Sequence, residues 1–115
     1  MLKKANQLRL DKEFDQVFKR GRSSYVKILG VKAFLTKEEE SRFGILVSNK
    51  ISKKAVQRNK IKRQIREILR LKLAKIKSGY DIVVVTLPAI LGKDYEEIEA
   101  AIDATLDKLR IFKVK

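Results

Sequence analysis

The chain has 115 residues, with 28 Lys and Arg against 14 Asp and Glu, for a formal net charge of +14; it contains no Cys, His or Trp. One domain of this length buries a core without staples. The missing residue types exclude a disulfide framework, thiolate or imidazole metal sites, a Cys nucleophile and a Ser-His-Asp triad. No apolar run approaches the roughly 18 residues of a membrane span, and no signal-peptide pattern is present, so the expectation is a soluble cytoplasmic protein with no membrane contact.

In chain order, Asp11 is placed to cap a short helix in which Phe14, Val17 and Phe18 share one face, with Gly21 at its end. Residues 23–36 read as extended chain, broken or bulged at Gly30. Thr36 to Ser41 reads as a charged hairpin loop, from which the strand Arg42–Ser48 returns with Phe43, Ile45 and Val47 on one face. From about Lys54 to Lys77 there is no Gly or Pro, and Ile61, Ile65, Ile68, Leu69 and Ile76 make an apolar helical stripe. Ser78-Gly79 closes that helix, and Tyr80–Thr86 is apolar enough for a strand buried on both faces. Asp94 and Glu97 form a capping box for a last helix with the stripe Tyr95, Ile98, Ile102, Thr105, Leu106 and Leu109. The order is α-β-β-β-α-β-α, an α+β sandwich in a single domain over 1–115, with no repeat or linker.

The positive charge is concentrated. Residues 49–77 hold twelve Lys or Arg against Glu67 alone, while residues 78–115 are net negative. At about 100° per residue, Lys62, Arg66 and Arg70 form one i, i+4 row. Asn59 and Arg63 fall in the same arc, Lys60 at its far edge, and Arg58 near the apolar border at the helix start. Arginine forks match phosphate oxygens, so this face points to a polyanion, RNA or DNA. A helix-turn-helix would need a helix just upstream, where a strand is expected instead. The adjacent Glu38, Glu39 and Glu40 read as a solvated loop tip, not a metal site, and no phosphate-loop motif is present.

Read as a string, Ala55-Val56-Gln57-Arg58-Asn59-Lys60-Ile61-Lys62-Arg63-Gln64-Ile65-Arg66-Glu67 is more specific than its charge. It resembles the Arg-Asn-Arg box of the protein-subunit family of bacterial ribonuclease P. Glu13 to Gly21 resembles that family's N-terminal helix, Arg42 to Lys50 the strand before the box, and Tyr80 to Val85 the following strand. The acidic terminal helix also falls where that family has one, and the resemblance as a whole spans roughly residues 8–110.

The resemblance implies a mixed four-stranded sheet in a two-layer sandwich with a left-handed β-α-β crossover, as in a ribosomal-protein domain; sequence physics alone favours the right hand. It implies a ribozyme whose RNA subunit holds the magnesium-dependent site that removes the 5′ leader of precursor tRNA. The protein, monomeric in a 1:1 complex with that RNA, holds no catalytic or metal-binding residue and is inactive alone. Carried over by motif, Arg58, Asn59, Lys60, Lys62, Arg63, Arg66 and Arg70 contact the catalytic RNA. Phe14, Phe18, Lys32, Phe34, Leu46, Ser48 and Lys50 contact the leader, with Gly44 on the same cleft face. Three residues depart from the family's pattern: Lys60 for a common Arg, Asn49 for a basic residue, and Leu46 for a small polar one. The alternative is a structural RNA-binding protein of ribosomal type with no part in cleavage.

Overall fold

Seven main elements follow one another in the order expected from the sequence: α1 (Asp11–Arg20), β1 (Arg22–Tyr25), β2 (Leu29–Leu35), β3 (Arg42–Leu46), α2 (Ala55–Lys72), β4 (Tyr80–Thr86) and α3 (Tyr95–Lys108). Short 3₁₀ turns occupy Lys4–Asn6, Leu73–Lys75 and Pro88–Ile90. The computed structural model describes residues 4–113.

The strands form one mixed sheet in the order β1-β2-β4-β3, with β2 antiparallel to β1 and β4, and β3 parallel to β4. The segment 36–41 is therefore not a hairpin loop, because β4 lies between β2 and β3. Ile82, Val83 and Val84 are all buried, and a strand apolar on both faces is stable only with a neighbour on each side and layers above and below. The displaced loop crosses the start of β4 instead. The Thr36 N–H and hydroxyl donate to the Gly79 carbonyl at 2.7 and 3.0 Å, and the Ser41 hydroxyl donates to that of Lys77 at 2.6 Å. Gly79 turns there with φ +88°, a conformation that suits glycine. The edge of β3 is partly covered by a bridge from Gln7 and by the Leu8 N–H, 2.9 Å from the Phe43 carbonyl.

On one face, Leu29, Val31, Ala33, Phe43, Ile82 and Val84 pack with Ile61, Ile65, Ile68 and Leu69 of α2 and Ile98, Ile102 and Leu106 of α3. Full burial of one such side chain contributes about 1.5–3 kcal/mol. Ile45 and Val47 pack partly against this core, as the period of two requires. On the opposite face, Leu8, Val17 and Val83 form a second, smaller cluster with Phe14, Phe34 and Val85 against it, so α1 lies on the side away from α2 and α3.

Several boundaries differ from expectation. Leu10, not Asp11, occupies the cap position of α1. The Glu13 carboxylate takes the N–H groups of Arg9 and Leu10 at 3.2 and 3.0 Å, leaving Asp11 as a first-turn acid at the positive end of the helix dipole. The break between β1 and β2 falls at 26–28 and not at Gly30, which pairs regularly with Tyr25 and Val85. Strand β3 ends at Leu46, before Ser48. Helix α2 stops at Lys72; Ile76 then bridges to Phe112, and the Lys77 N–H donates to the Ile111 carbonyl at 2.8 Å. Pairing with the chain end thus draws that segment out of the helix. The α3 box is as expected, with the Glu97 N–H 2.9 Å from Asp94 Oδ1.

Candidate nucleic-acid interface

The register puts Lys32, Phe34, Gly44 and Leu46 on the face opposite the main core. Across the sheet they form three rows: Phe34, Asp81 and Arg42; Ser23, Lys32, Val83 and Gly44; and Tyr25, Gly30, Val85 and Leu46. Helix α1 lies over part of this face. The Phe14 ring covers Gly44 so closely that a Cβ there would sit 2.3 Å from Phe14 Cε1. Four residues later Phe18 is 39% exposed.

Tyr25 is the cleft residue that sequence reasoning missed. It was legible only as a strand former. Its partner across the hairpin is Gly30, and a Cβ on Gly30 would sit 2.1 Å from Tyr25 Cδ2, so the glycine lets the ring lie over β2. Tyr25 is 47% exposed. The Lys32 ammonium stands 5.4 Å from the Phe18 ring centre and 5.8 Å from that of Tyr25. A cation is thus held between two aromatic faces, each also able to stack on a base.

Phe34 has a different setting from Phe18. It lies on the cleft face but packs partly buried against the Leu8, Val17 and Val83 cluster, where it supports the wall. Leu46 is 37% exposed at the far end of β3. Ser48 and Lys50 are exposed beyond it, and the Lys50 N–H donates to the Ser48 hydroxyl at 3.3 Å. Asn49, Lys50, Lys53 and Arg58 line a hollow where this loop enters α2. The cleft floor and the basic helix are therefore joined through one cationic corner.

On α2, Asn59, Lys60, Arg63 and Arg66 are exposed, and Lys62 is half-buried. Arg58 is half-buried, its Nη1 donating to the Ser52 carbonyl at 2.8 Å, so it also ties the loop to the helix. Lys60 sits apart, on a groove shared with Gln57, Gln64, Lys93 and Tyr95. Arg70 already has a partner: its Nε and Nη2 lie 3.1 and 2.5 Å from the Glu67 carboxylate. The Arg70 hydrogen bond holds Glu67 below the usual carboxylate range. The α2 cap residue, Lys54, offers no side-chain acceptor, and the first turn has no acid, so the positive helix end is unopposed.

At one end of the cleft face, Arg42 makes a bidentate pair with the buried Asp81, at 2.8 and 2.7 Å, and a further ion pair with Glu13 of α1. Burial opposes ionisation of Glu13, but the Leu10 and Arg9 N–H donors and the Arg42 charge outweigh it and hold the group below its ordinary 4.5. Unfolded, Glu13 titrates near 4.5, and folded it titrates lower. Its contribution to stability is therefore complete above that value and is lost as the pH falls through the lowered one. The expected result is a melting temperature that falls more steeply between about pH 5 and pH 3 for this chain than for its Glu13→Gln variant. Equal slopes would show that Glu13 carries none of the acid sensitivity.

Glu13 and Asp81, the two acids of this link, are both engaged by Arg42. Among the described residues no group of three or more His, Cys, Asp or Glu is arranged to hold a metal, and no helix is long and apolar enough to cross a membrane.

The family model described as Ribonuclease P matches residues 2–110. A ribonuclease P protein component of Clostridium botulinum (strain 657) is 40% identical over 110 residues, covering 95% of this chain and 98% of that protein. A solved structure of the Staphylococcus aureus RNase P protein superposes with a TM-score of 0.88 at 29% identity, covering 96% of this chain and 100% of that one. The Thermotoga maritima RNase P protein gives 0.77 at 32% identity, covering 85% and 92%. The mixed sheet and its three helices are thus shared with these proteins, and the chain belongs to the ribonuclease P protein family.

Proposed function

We propose that this chain is the protein subunit of a ribonuclease P ribozyme acting in tRNA 5′ maturation. The α2 face grips the catalytic RNA, and the cleft between α1 and the sheet takes the single-stranded 5′ leader of precursor tRNA. The observation that carries this proposal is the contiguity of two unlike surfaces. A cation-aromatic cleft suits unpaired nucleotides, and a guanidinium ladder suits a folded RNA backbone. They meet at the Asn49, Lys50, Lys53 and Arg58 corner. One RNA bound across that corner can hold a leader extending into the cleft.

In this proposal the magnesium ions belong to the RNA subunit and supply the hydrolytic chemistry there. The protein's own residues bind and orient. Arg58, Lys62, Arg63 and Arg66 neutralise phosphates and Asn59 hydrogen-bonds beside them, with Lys60 as a tuned outlier. Phe18 and Tyr25 stack on leader bases, and Lys32 and Lys50 meet leader phosphates. Leu46 makes the cleft end apolar beside Val85, favouring stacking over base-edge hydrogen bonds. About six neutralised phosphates give a slope of log K against log salt of roughly −4 to −5. We place the protein as a monomer in a 1:1 complex, in the cytoplasm where precursors are made.

The test is cleavage of precursor tRNA by a bacterial ribonuclease P RNA at low magnesium, with and without the protein. The expected result is restored 5′ maturation with the protein and no cleavage by protein alone. Tight RNA binding without stimulation would establish the structural RNA-binder alternative instead.

A further inference from the structure

Helix α1 is anchored at both ends. Leu8, just before it, is buried and bonded to β3 through the Phe43 carbonyl at 2.9 Å. Gly21, just after it, donates to the Val17 carbonyl at 2.8 Å and sits so close to β2 that a Cβ would come 2.9 Å from the Ala33 carbonyl oxygen. Two end anchors leave rotation about the helix axis. The buried Val17 packs between them, and the hydrophobic driving force that buries it is itself non-directional.

The directional element is ionic. Asp81, 1% exposed at its side chain, holds the Arg42 fork in one plane through two hydrogen bonds. The remaining Nη1 of Arg42 meets Glu13 Oε2. The other Glu13 oxygen is bound by the Arg9 and Leu10 N–H groups at the helix start. Both ends of the chain Asp81–Arg42–Glu13 are therefore tied to backbone or buried structure. Moreover, two successive α1 residues meet two same-face residues of β3: Glu13 on Arg42, and Phe14 on Gly44. One turn further on, Phe18 stands over Lys32.

We infer that Arg42 and Glu13 are positioning residues for the cleft: their ion pair sets the rotation of α1 on the sheet, and so the spacing of Phe18 from Tyr25 in which Lys32 sits. With side chains reaching about 5–6 Å from a helix axis, a rotation of about 20° moves a ring by about 2 Å. That is enough to open the Phe18–Lys32–Tyr25 stack. The functional consequence rests on the leader-cleft proposal above.

The test uses Glu13→Gln, which removes the charge but keeps an acceptor for the Arg9 and Leu10 donors, and Arg42→Lys, which keeps the charge but loses the fork. In the free protein, NMR reads the ring-current shift of the Lys32 ε-protons. In the holoenzyme, binding is compared for precursor tRNA and mature tRNA. Both variants are expected to lose much of the Lys32 ring-current shift. Both are expected to reduce the leader-dependent affinity gain about five-fold, with affinity for the catalytic RNA essentially unchanged. An unchanged Lys32 shift and unchanged leader gain in folded Glu13→Gln would overturn the inference and leave the pair a stabilising contact only. If the unsubstituted protein shows no leader-dependent gain at all, the leader-cleft proposal fails, and the Lys32 shift still decides the positioning role. Should Glu13→Gln fail to fold, Arg42→Lys decides on both readouts.

Discussion

Replacing Arg63 and Arg66 together by Ala weakens binding to the catalytic RNA about 100-fold or more and leaves the melting temperature nearly unchanged. Both side chains are exposed on α2, and among the described residues no ion pair engages either, so neither loss disturbs the fold. A hydrogen bond to a charged group is worth about 1.5–3 kcal/mol, and two such losses exceed 3 kcal/mol. The salt dependence is a second signature: each lost phosphate contact removes about 0.7–0.9 from the log–log slope, so the double variant flattens it by about 1.5. Glu67→Ala has the opposite sign. It frees the Arg70 guanidinium from its carboxylate partner and removes a negative charge facing phosphate, so RNA binding tightens by about two- to five-fold. Titrations of the RNA at several salt concentrations read all three quantities. A loss that is uniform at every salt concentration would show that these residues do not meet phosphates.

Gly44→Ala lowers stability by about 1–3 kcal/mol and removes most of the leader-dependent binding. The added methyl carbon would lie 2.3 and 2.5 Å from Phe14 Cε1 and Cζ, distances that no packing tolerates, so the ring must leave the sheet. Phe14 packs against the Leu8, Val17 and Val83 cluster, and its displacement lifts α1 and moves Phe18 away from Lys32. Gly30→Ala is expected to cost less stability. The ring it strikes belongs to the half-exposed Tyr25, which can swing outward while the strand register holds. The control is the double variant Gly44→Ala with Phe14→Ala. Removing the ring removes the collision, so the double variant is more stable than the sum of the two single changes predicts. Thermal unfolding and the precursor-to-mature affinity ratio read the effects; simple additivity would show that Phe14 is not what Gly44 makes room for.

What the sequence determined by itself is local. The period of two in β3 and the unbroken apolar run of β4 placed their faces, because side-chain direction follows from backbone geometry within a single element. The 3.6-residue period of α2 separated Ile61, Ile65 and Ile68 from Asn59, Arg63 and Arg66 for the same reason. The Asp94–Glu97 box marked the start of α3, since both partners lie within one turn. The string around Arg58 carried the family, because a spacing of residue types is preserved whatever the fold does with it.

What the tertiary structure decided depends on which distant segments meet. Placing β4 between β2 and β3 converted an expected hairpin loop into a crossing strap, since strand order is set by burial on both faces and not by neighbourhood in the chain. Tyr25 became a cleft residue only because the turn at 26–28 set it opposite Gly30. Phe34, on the correct face by alternation, was turned into wall support by the cluster packed against it. Arg70, in the correct arc by periodicity, was drawn aside by Glu67 within its own helix, where rotamer choice and not spacing decides the pairing. The link from Asp81 through Arg42 to Glu13 joins three elements. Nothing along the chain connects its residues until the sheet and α1 bring them together, because a side-chain ion pair has a short range in space and none along the sequence.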